Sequence, residues 1–289
     1  MPPHIPVLLE EVLQYLNPRP DGRFIDATFG AGGHTQELLE RTSPGGRVLA
    51  IDQDESAIVR GRTILELYGS RLVLVQANFR DIATIAPQHG FSEPDGILAD
   101  IGVSSMMLDN AERGFSFMRD GPLDMRMDVS QPLTAADVVN TYSEKEIANI
   151  IFNFGEERRS RQIASSIVRS RPLTRTADLT RSIERVFGGH RFGRIHPATR
   201  TFQALRIFVN DELNSLETFL DSSMKVLRPG GRLVLVSFHS LEDRIVKNKF
   251  RTPVVPGIAL TKKVVTAADS EIARNPRARS ARLRAWEKR

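Results

Sequence analysis

Over the first hundred positions, short apolar runs alternate with amphipathic stretches. Arg23-Phe-Ile-Asp-Ala-Thr28 reads as a buried strand, followed by a glycine-rich turn and a short helix from about Thr35. Arg47 to Asp52 is a second strand, and a helix follows from about Glu55 to Tyr68. Arg71 to Ala77 and Gly96 to Asp100 are the third and fourth strands. Apolar strands separated by helix-length stretches predict βαβ units and a parallel sheet covered on both faces. After Asp100 the pattern changes. Residues 105–140 are rich in Met, Asp and Gly and carry no strand signal. Ser143-Glu-Lys-Glu146 has capping-box spacing, and Ile147, Ile150, Ile151 and Phe154 then share one helical face. The helical period runs to about Arg206. A helix near Asp211 to Leu227 and the turn Arg228-Pro-Gly-Gly231 lead into one more strand, Gly231 to Ser237. From about Thr252 the signals are mixed. The order predicts an α/β sheet interrupted by a helical insertion, with limits at 1–105, 106–209 and 210–289.

The strongest local signal is Asp26-Ala-Thr-Phe-Gly30-Ala-Gly32-Gly33-His34, an acid at a strand end followed by a glycine turn into a helix. Glycines let a backbone approach a ligand closely, and a helix start offers free N–H groups. Asp52, ending the second strand, is placed to accept hydrogen bonds from ribose hydroxyls. Together these indicate a nucleoside cofactor. Thr35 stands where the dinucleotide spacing needs a small residue, and Asp26 would face a pyrophosphate but suits a cationic methionine moiety. S-adenosylmethionine therefore fits better than NAD. Phe79, after the third strand, is either an adenine-stacking ring or a core residue. Asp100, Ser104 and Ser105 follow the fourth strand, where ligands of open α/β sheets bind, although Ser there also caps helices.

Charge divides the chain. The net +5 averages 12 Lys+Arg against 22 Asp+Glu in residues 1–150 with 28 against 13 in the remainder. Arg158 to Arg206 holds 12 Arg, no Lys, and only Asp178 and Glu184 as acids. Such a stretch is either a solvated helix face or a surface for a polyanion, and Arg in place of Lys favours bidentate phosphate contacts. The absence of cysteine excludes disulfides, thiolate metal sites and a Cys nucleophile. No apolar run is long enough to span a membrane and no leader pattern opens the chain, so a cytoplasmic protein is expected.

Seven segments resemble one family: Gly30-Ala-Gly-Gly-His34, Asp100-Ile-Gly-Val-Ser-Ser105, Glu112-Arg-Gly-Phe-Ser-Phe117, Asp120-Gly-Pro-Leu-Asp-Met-Arg-Met-Asp128, His196-Pro-Ala-Thr-Arg-Thr-Phe-Gln203, Ser237-Phe-His-Ser-Leu-Glu-Asp-Arg244 and Asn275-Pro-Arg-Ala-Arg-Ser280. In this order, from His4 to Ser280, they resemble the bacterial small-subunit ribosomal RNA methyltransferase H (MraW-type) family. The resemblance implies a class I Rossmann-like methyltransferase sheet with an inserted helical substrate-recognition domain after strand four. It implies methylation of N4 of a cytidine in the decoding region of 16S rRNA, in a small ribosomal subunit or its precursor, by an enzyme able to form a homodimer. It further implies that Gly32, Gly33, His34, Asp52, Phe79 and Asp100 contact S-adenosyl-L-methionine. Where the family has Gln, this chain has Met107, so only a backbone contact would survive there.

Cytosine N4 is a weak nucleophile, and acceptors for its protons would raise its electron density. Asp100 and Ser104 are the expected catalytic residues, with no metal required. Arg158, Arg159, Arg161 and Arg200 are the expected RNA contacts. The chain lacks the proline-proline-aromatic motif of DNA amino-methyltransferases, which leaves Phe115 and Phe117 to stack the base. His239 is either a base or RNA contact or a strand-end histidine held by hydrogen bonds, and His196 a support or RNA contact. His190 and His196 lack a carboxylate near them in sequence and make no metal pair. Asp120, Asp124 and Asp128 suggest a cation site by their spacing, but Gly121-Pro122 breaks a helix there, and they are expected instead to order Arg113, Arg119 and Arg126. A DNA or protein-amine methyltransferase, or an assembly factor using bound cofactor structurally, remain alternatives.

Overall fold

The computed structural model describes residues 6–188 and 196–289. His4, His190, Arg191, Arg194 and the side chain of Ser105 lie outside the described residues. The chain divides into two compact units, Met1–Gly102 with Leu213–Arg289, and Val103–Glu212. The first unit opens with α1 (Leu9–Leu16), β1 (Arg23–Asp26), α2 (Gly33–Arg41), β2 (Arg47–Asp52) and α3 (Glu55–Tyr68). It continues with β3 (Leu72–Gln76), α4 (Ile82–Gln88) and β4 (Gly96–Asp100). The second unit carries α5 (Ser105–Asp109), α6 (Ala135–Thr141), α7 (Glu144–Gly155), α8 (Ser160–Arg169), α9 (Thr176–Val186) and α10 (Ala198–Val209). The chain then runs through α11 (Glu212–Val226), β5 (Arg232–Ser237), α12 (Ser240–Arg251), β6 (Gly257–Ala259), α13 (Asp269–Arg274) and β7 (Arg282–Lys288).

The sheet order is β3-β2-β1-β4-β5-β7-β6. Strands β1 to β5 are parallel, whereas β7 runs antiparallel to both β5 and β6. This is the α/β, class I Rossmann-like sheet expected from the resemblance. Alternate strand residues feed two cores. Ile25, Leu49, Ile97 and Leu233 pack with Ile82, Phe219 and Phe250 on one face. Phe24, Val48, Leu98 and Val234 pack with Leu13, Leu38 and Leu39 on the other. Burial on both faces explains why these strands read as unbroken apolar runs. The parallel pairing of β1 to β5 brings the ends of all five strands to one carboxyl edge.

The mixed C-terminal signals hide β7. Leu283, Ala285 and Trp286 are buried, but Arg282 and Arg284 interrupt the apolar pattern. Asp243 of α12 binds both guanidinium groups, with Arg284 Nε at 2.6 Å, which lets two arginines sit in a half-buried strand. Among the described residues no helix is long and apolar enough to cross a membrane.

The second unit has its own core, built on Ile147, Ile150, Ile151, Ile163, Ile167, Leu179 and Leu205. Ser143 and Glu146 form the expected capping box at α7. Val103 packs on this core, and Asn210 ties the unit's Met-rich loop. Asn210 accepts from the Met127 N–H at 2.7 Å and donates to the Met125 carbonyl at 2.8 Å. One of the three carboxylates pairs as expected and the other two do not. Asp124 grips Arg126 through two oxygens, but Asp120 binds Arg175 at 2.7 Å and Asp128 accepts from Ser130. Arg113 instead donates to the carbonyls of Arg126 and Met127. Sequence distance concealed the Asp120–Arg175 partnership.

Candidate active site

Strand β1 neighbours β2 on one side and β4 on the other, so the sheet's order reverses there. Ligands of open α/β sheets bind at such a switch point, outside the carboxyl ends of the strands. Asp26, ending β1, lies buried and accepts from Thr35 Oγ1 at 2.7 Å and from the Thr28 N–H at 3.2 Å. It braces the turn from within. Thr35, the residue that broke the dinucleotide spacing, is its partner. Asp52, ending β2, accepts from the Gly30 N–H at 2.8 Å and the Asp54 N–H at 2.9 Å. The glycine turn is thereby tethered to the next strand, and each Asp52 oxygen keeps a lone pair for a further donor.

The three glycines differ. Gly32 has φ +80° as the N-cap of α2, and a Cβ there would meet Ile64 at 2.4 Å and Phe29 at 2.8 Å. A Cβ at Gly33 would strike Pro6 at 2.5 Å. Both glycines are thus required by the chain's own packing. At Gly30, φ is +55° and an added Cβ would meet only the Thr28 carbonyl, at 3.9 Å. Gly30 therefore has the space for a ligand, which spacing in the sequence could not distinguish.

Asp100 ends β4, adjacent to β1. Its N–H donates to Thr28 Oγ1 at 2.7 Å, and its Oδ2 is 3.8 Å from Nε2 of buried His34, at the start of α2. Among the described residues nothing hydrogen-bonds its buried Oδ1. Thr28, linking Asp26 to Asp100, gave no signal in the sequence beyond ending the first apolar run. After β5, His239 caps α12, and Glu242 accepts from the Phe238 N–H at 2.9 Å and the His239 N–H at 3.3 Å. His239 Nδ1 accepts from the Glu242 N–H at 3.4 Å, and its Nε2 lies 3.0 Å from the Glu242 carboxylate. Phe79 meets Phe219 edge-to-face at 5.0 Å, within the core on which α11 packs.

Burial pushes all three strand-end carboxyls upward from an ordinary 3.8. Asp26 rises to about 7, its bonds from Thr35 and Thr28 resisting and Asp52 adding to the rise. Asp52 rises to about 6, resisted by the bonds from Asp54 and Gly30. Asp100 rises to about 8, with Asp26 and Glu242 adding negative potential. A carboxyl raised on folding stabilises the fold in its protonated form. That stability is complete below about pH 4 and is lost as pH climbs through the folded values. Asp100→Asn therefore gains thermal stability over the parent protein as pH goes from about 5 to about 9, measured without ligand. Melting curves that stay parallel across that range would contradict the burial of Asp100.

The model of the MraW methylase family matches residues 1–289. The chain is 51% identical over 286 residues to the ribosomal RNA small subunit methyltransferase H of Nostoc sp. (strain PCC 7120), covering 99% of this chain and 92% of that protein. It is 50% identical over 306 residues to the protein of the same name from Geobacter sulfurreducens, covering 99% and 98%. The chain belongs to the MraW methylase family.

The other residues expected of an MraW methylase site lie in the second unit. Ser104 caps α5, its Oγ accepting from the Met107 N–H at 3.2 Å, and the Met107 side chain is buried in that unit's core. Phe115 is likewise buried. Phe117 stacks on the His196 ring at 4.7 Å, and His196 Nε2 reaches Glu184 at 3.2 Å, a carboxylate that sequence proximity did not reveal. Of the four arginines, Arg158 and Arg161 are exposed, with no partner among the described residues. The Arg159 guanidinium lies over the Phe187 ring at 4.7 Å, and Arg200 reaches Glu157 at 3.5 Å.

Proposed function

We propose that the chain transfers the methyl group of S-adenosyl-L-methionine to N4 of a cytidine in the decoding region of 16S rRNA. The buried, unsatisfied Oδ1 of Asp100 beside the glycine turn carries this reading. A lone buried acceptor is costly unless a ligand completes it, and it suits a cation or an amine N–H. Gly30, with open space at its Cα, and Asp52, with lone pairs to spare, fit a nucleoside next to it. His34, Gly32, Gly33 and Phe79 complete the cofactor set. When bound, S-adenosylmethionine supplies an electrophilic methyl group.

The residues' task is to make a poor nucleophile adequate. A carboxylate at Asp100 accepts an N4 proton, and the lone pair is drawn out of conjugation with the ring. Ser104, four residues on, uses one lone pair as a helix cap, so its hydroxyl can still donate and accept once more. Arg158, Arg159, Arg161 and Arg200 hold the RNA, in the cytoplasm and within a small ribosomal subunit or its precursor; a homodimer is the assembly the family allows. Arg158 and Arg161 bear most of that binding, because Arg159 and Arg200 already hold Phe187 and Glu157. Reversing Arg158 and Arg161 to Glu lowers RNA affinity and makes its salt dependence shallower, by about 0.7 in log–log slope for each phosphate of single-stranded RNA that is no longer neutralised. Arg200→Glu also disturbs Glu157, so it lowers thermal stability as well. Unchanged RNA affinity after reversal of Arg158 and Arg161 would remove them from the interface. Transfer of labelled methyl groups to small-subunit RNA tests the reaction; cofactor binding without transfer to any RNA would refute it.

A further inference from the structure

Arg274 to Arg284 carries five arginines and no acid, and the reaction above assigns the segment nothing. Arg282 and Arg284 are held by Asp243. Arg274, Arg277 and Arg279 are exposed, at the end of α13 and on the tight 3₁₀ turn Pro276–Ser280. This turn is anchored. Ala278 and Ala281 are buried, in the core that holds Leu8, Val12, Val236 and Leu283. The arginines therefore project from a fixed backbone, which reduces the ordering cost of binding with them.

Strand register locates the turn. Asp100 pairs with Val236 in the parallel β4–β5 ladder, and Ser237 pairs with Arg282 at the start of β7. The turn therefore enters β7 at the same carboxyl edge where Asp100 ends β4. A second connection runs through the N-terminal segment. The Leu8 N–H donates to the Glu271 carboxylate of α13 at 2.8 Å, while Pro6 is the residue packed against Gly33. Residues 6–8 thus join α13 to the glycine turn. Exposed guanidinium groups on a rigid turn, at the edge bearing the reactive carboxyl, suit phosphodiester oxygens, which Arg engages through paired N–H donors.

We propose that the Arg277–Arg279 turn is a phosphodiester-binding site that holds the RNA backbone beside the nucleotide being methylated. The proposal rests on the RNA-methylating reading, and it adds a point of attachment on the catalytic unit to those on the inserted one. The test compares the parent protein with Arg277→Ala/Arg279→Ala, Arg279→Ala and Arg279→Lys. Binding of small-subunit RNA is measured against salt, with methyl-transfer kinetics on the same RNA and affinity for S-adenosylhomocysteine. The double variant shows a log–log salt slope shallower by about 1.4, at about 0.7 for each single-strand phosphate. Its KM rises about tenfold, kcat stays within about twofold, and S-adenosylhomocysteine affinity is unchanged. Arg279→Ala shows about half the change in slope, and Arg279→Lys keeps the slope; these two variants decide the matter if the double variant does not fold. An unchanged slope and KM in variants of a parent that methylates RNA overturns the proposal alone. A fall in S-adenosylhomocysteine affinity that matches the rise in KM also overturns it, by making the turn a support for the glycine loop. A parent that binds S-adenosylhomocysteine but methylates no RNA overturns the functional reading instead.

Discussion

Asp100→Asn lowers the single-turnover rate of methyl transfer by about two orders of magnitude or more, while cofactor affinity changes by less than about tenfold. The substitution keeps the shape of the side chain and an acceptor oxygen, but it removes the charge that takes up a proton from an amine. General-base assistance of this kind contributes about 10²- to 10⁴-fold. The backbone N–H of residue 100 still binds Thr28, so the strand end stays in place. The pH profile separates this role from simple binding. Burial, together with Asp26 and Glu242, raises the Asp100 carboxyl to about 8, so the acceptor form is scarce at low pH and the rate climbs as pH rises. The acidic limb of the profile is expected to vanish in the Asn variant. Equal losses of rate and cofactor affinity would instead make Asp100 a cofactor ligand alone.

The second large effect separates two neighbouring glycines. Gly32→Ala forces a Cβ into Ile64 and Phe29 and strains a backbone at φ +80°. Left-handed strain of about 1 kcal/mol and overpacking of about 1–3 kcal/mol together remove a large share of a domain's stability. Gly30→Ala carries the backbone strain, about 1 kcal/mol, without the clash. Its methyl group enters the space left for a ligand, so it lowers cofactor affinity by at least about tenfold while the protein stays folded. Thermal midpoints and calorimetric titration of the two variants measure the contrast. A Gly30→Ala protein that binds cofactor as the parent does would show that the turn faces the ligand elsewhere.

How much of this was legible in the sequence follows from what is local and what is not. The parallel strands were legible because both of their faces are buried, which leaves continuous apolar runs such as Leu233 to Val236. The capping box at Ser143 was legible because its partners are three residues apart. Strand β7 was not, because Asp243, some forty residues away, neutralises the arginines that masked it. The candidate site divides in the same way. Asp26, Asp52 and Asp100 were legible as acids at strand ends, yet only the fold shows that Asp26 braces Thr35 while Asp100 keeps an unsatisfied oxygen. The glycine turn was visible in the sequence, but Gly32 and Gly33 answer not only to Phe29 within it but to Ile64 and Pro6, which come from outside it. The arginine-rich stretch was one signal in the sequence. In the fold it separates into Arg171, Arg175 and Arg206, held by internal partners, and the exposed Arg158 and Arg161.

Nucleoside analysis of methylated RNA separates cytidine N4 from every other methyl acceptor. Small ribosomal subunits lacking the modification are incubated with the protein and labelled S-adenosylmethionine, and the RNA is digested and separated by mass spectrometry. Label is expected in N4-methylcytidine from the decoding region, with about a hundredth as much or less from the Asp100→Asn protein over the same interval. Label at another base, at C5 of cytidine, or in ribosomal protein would contradict it.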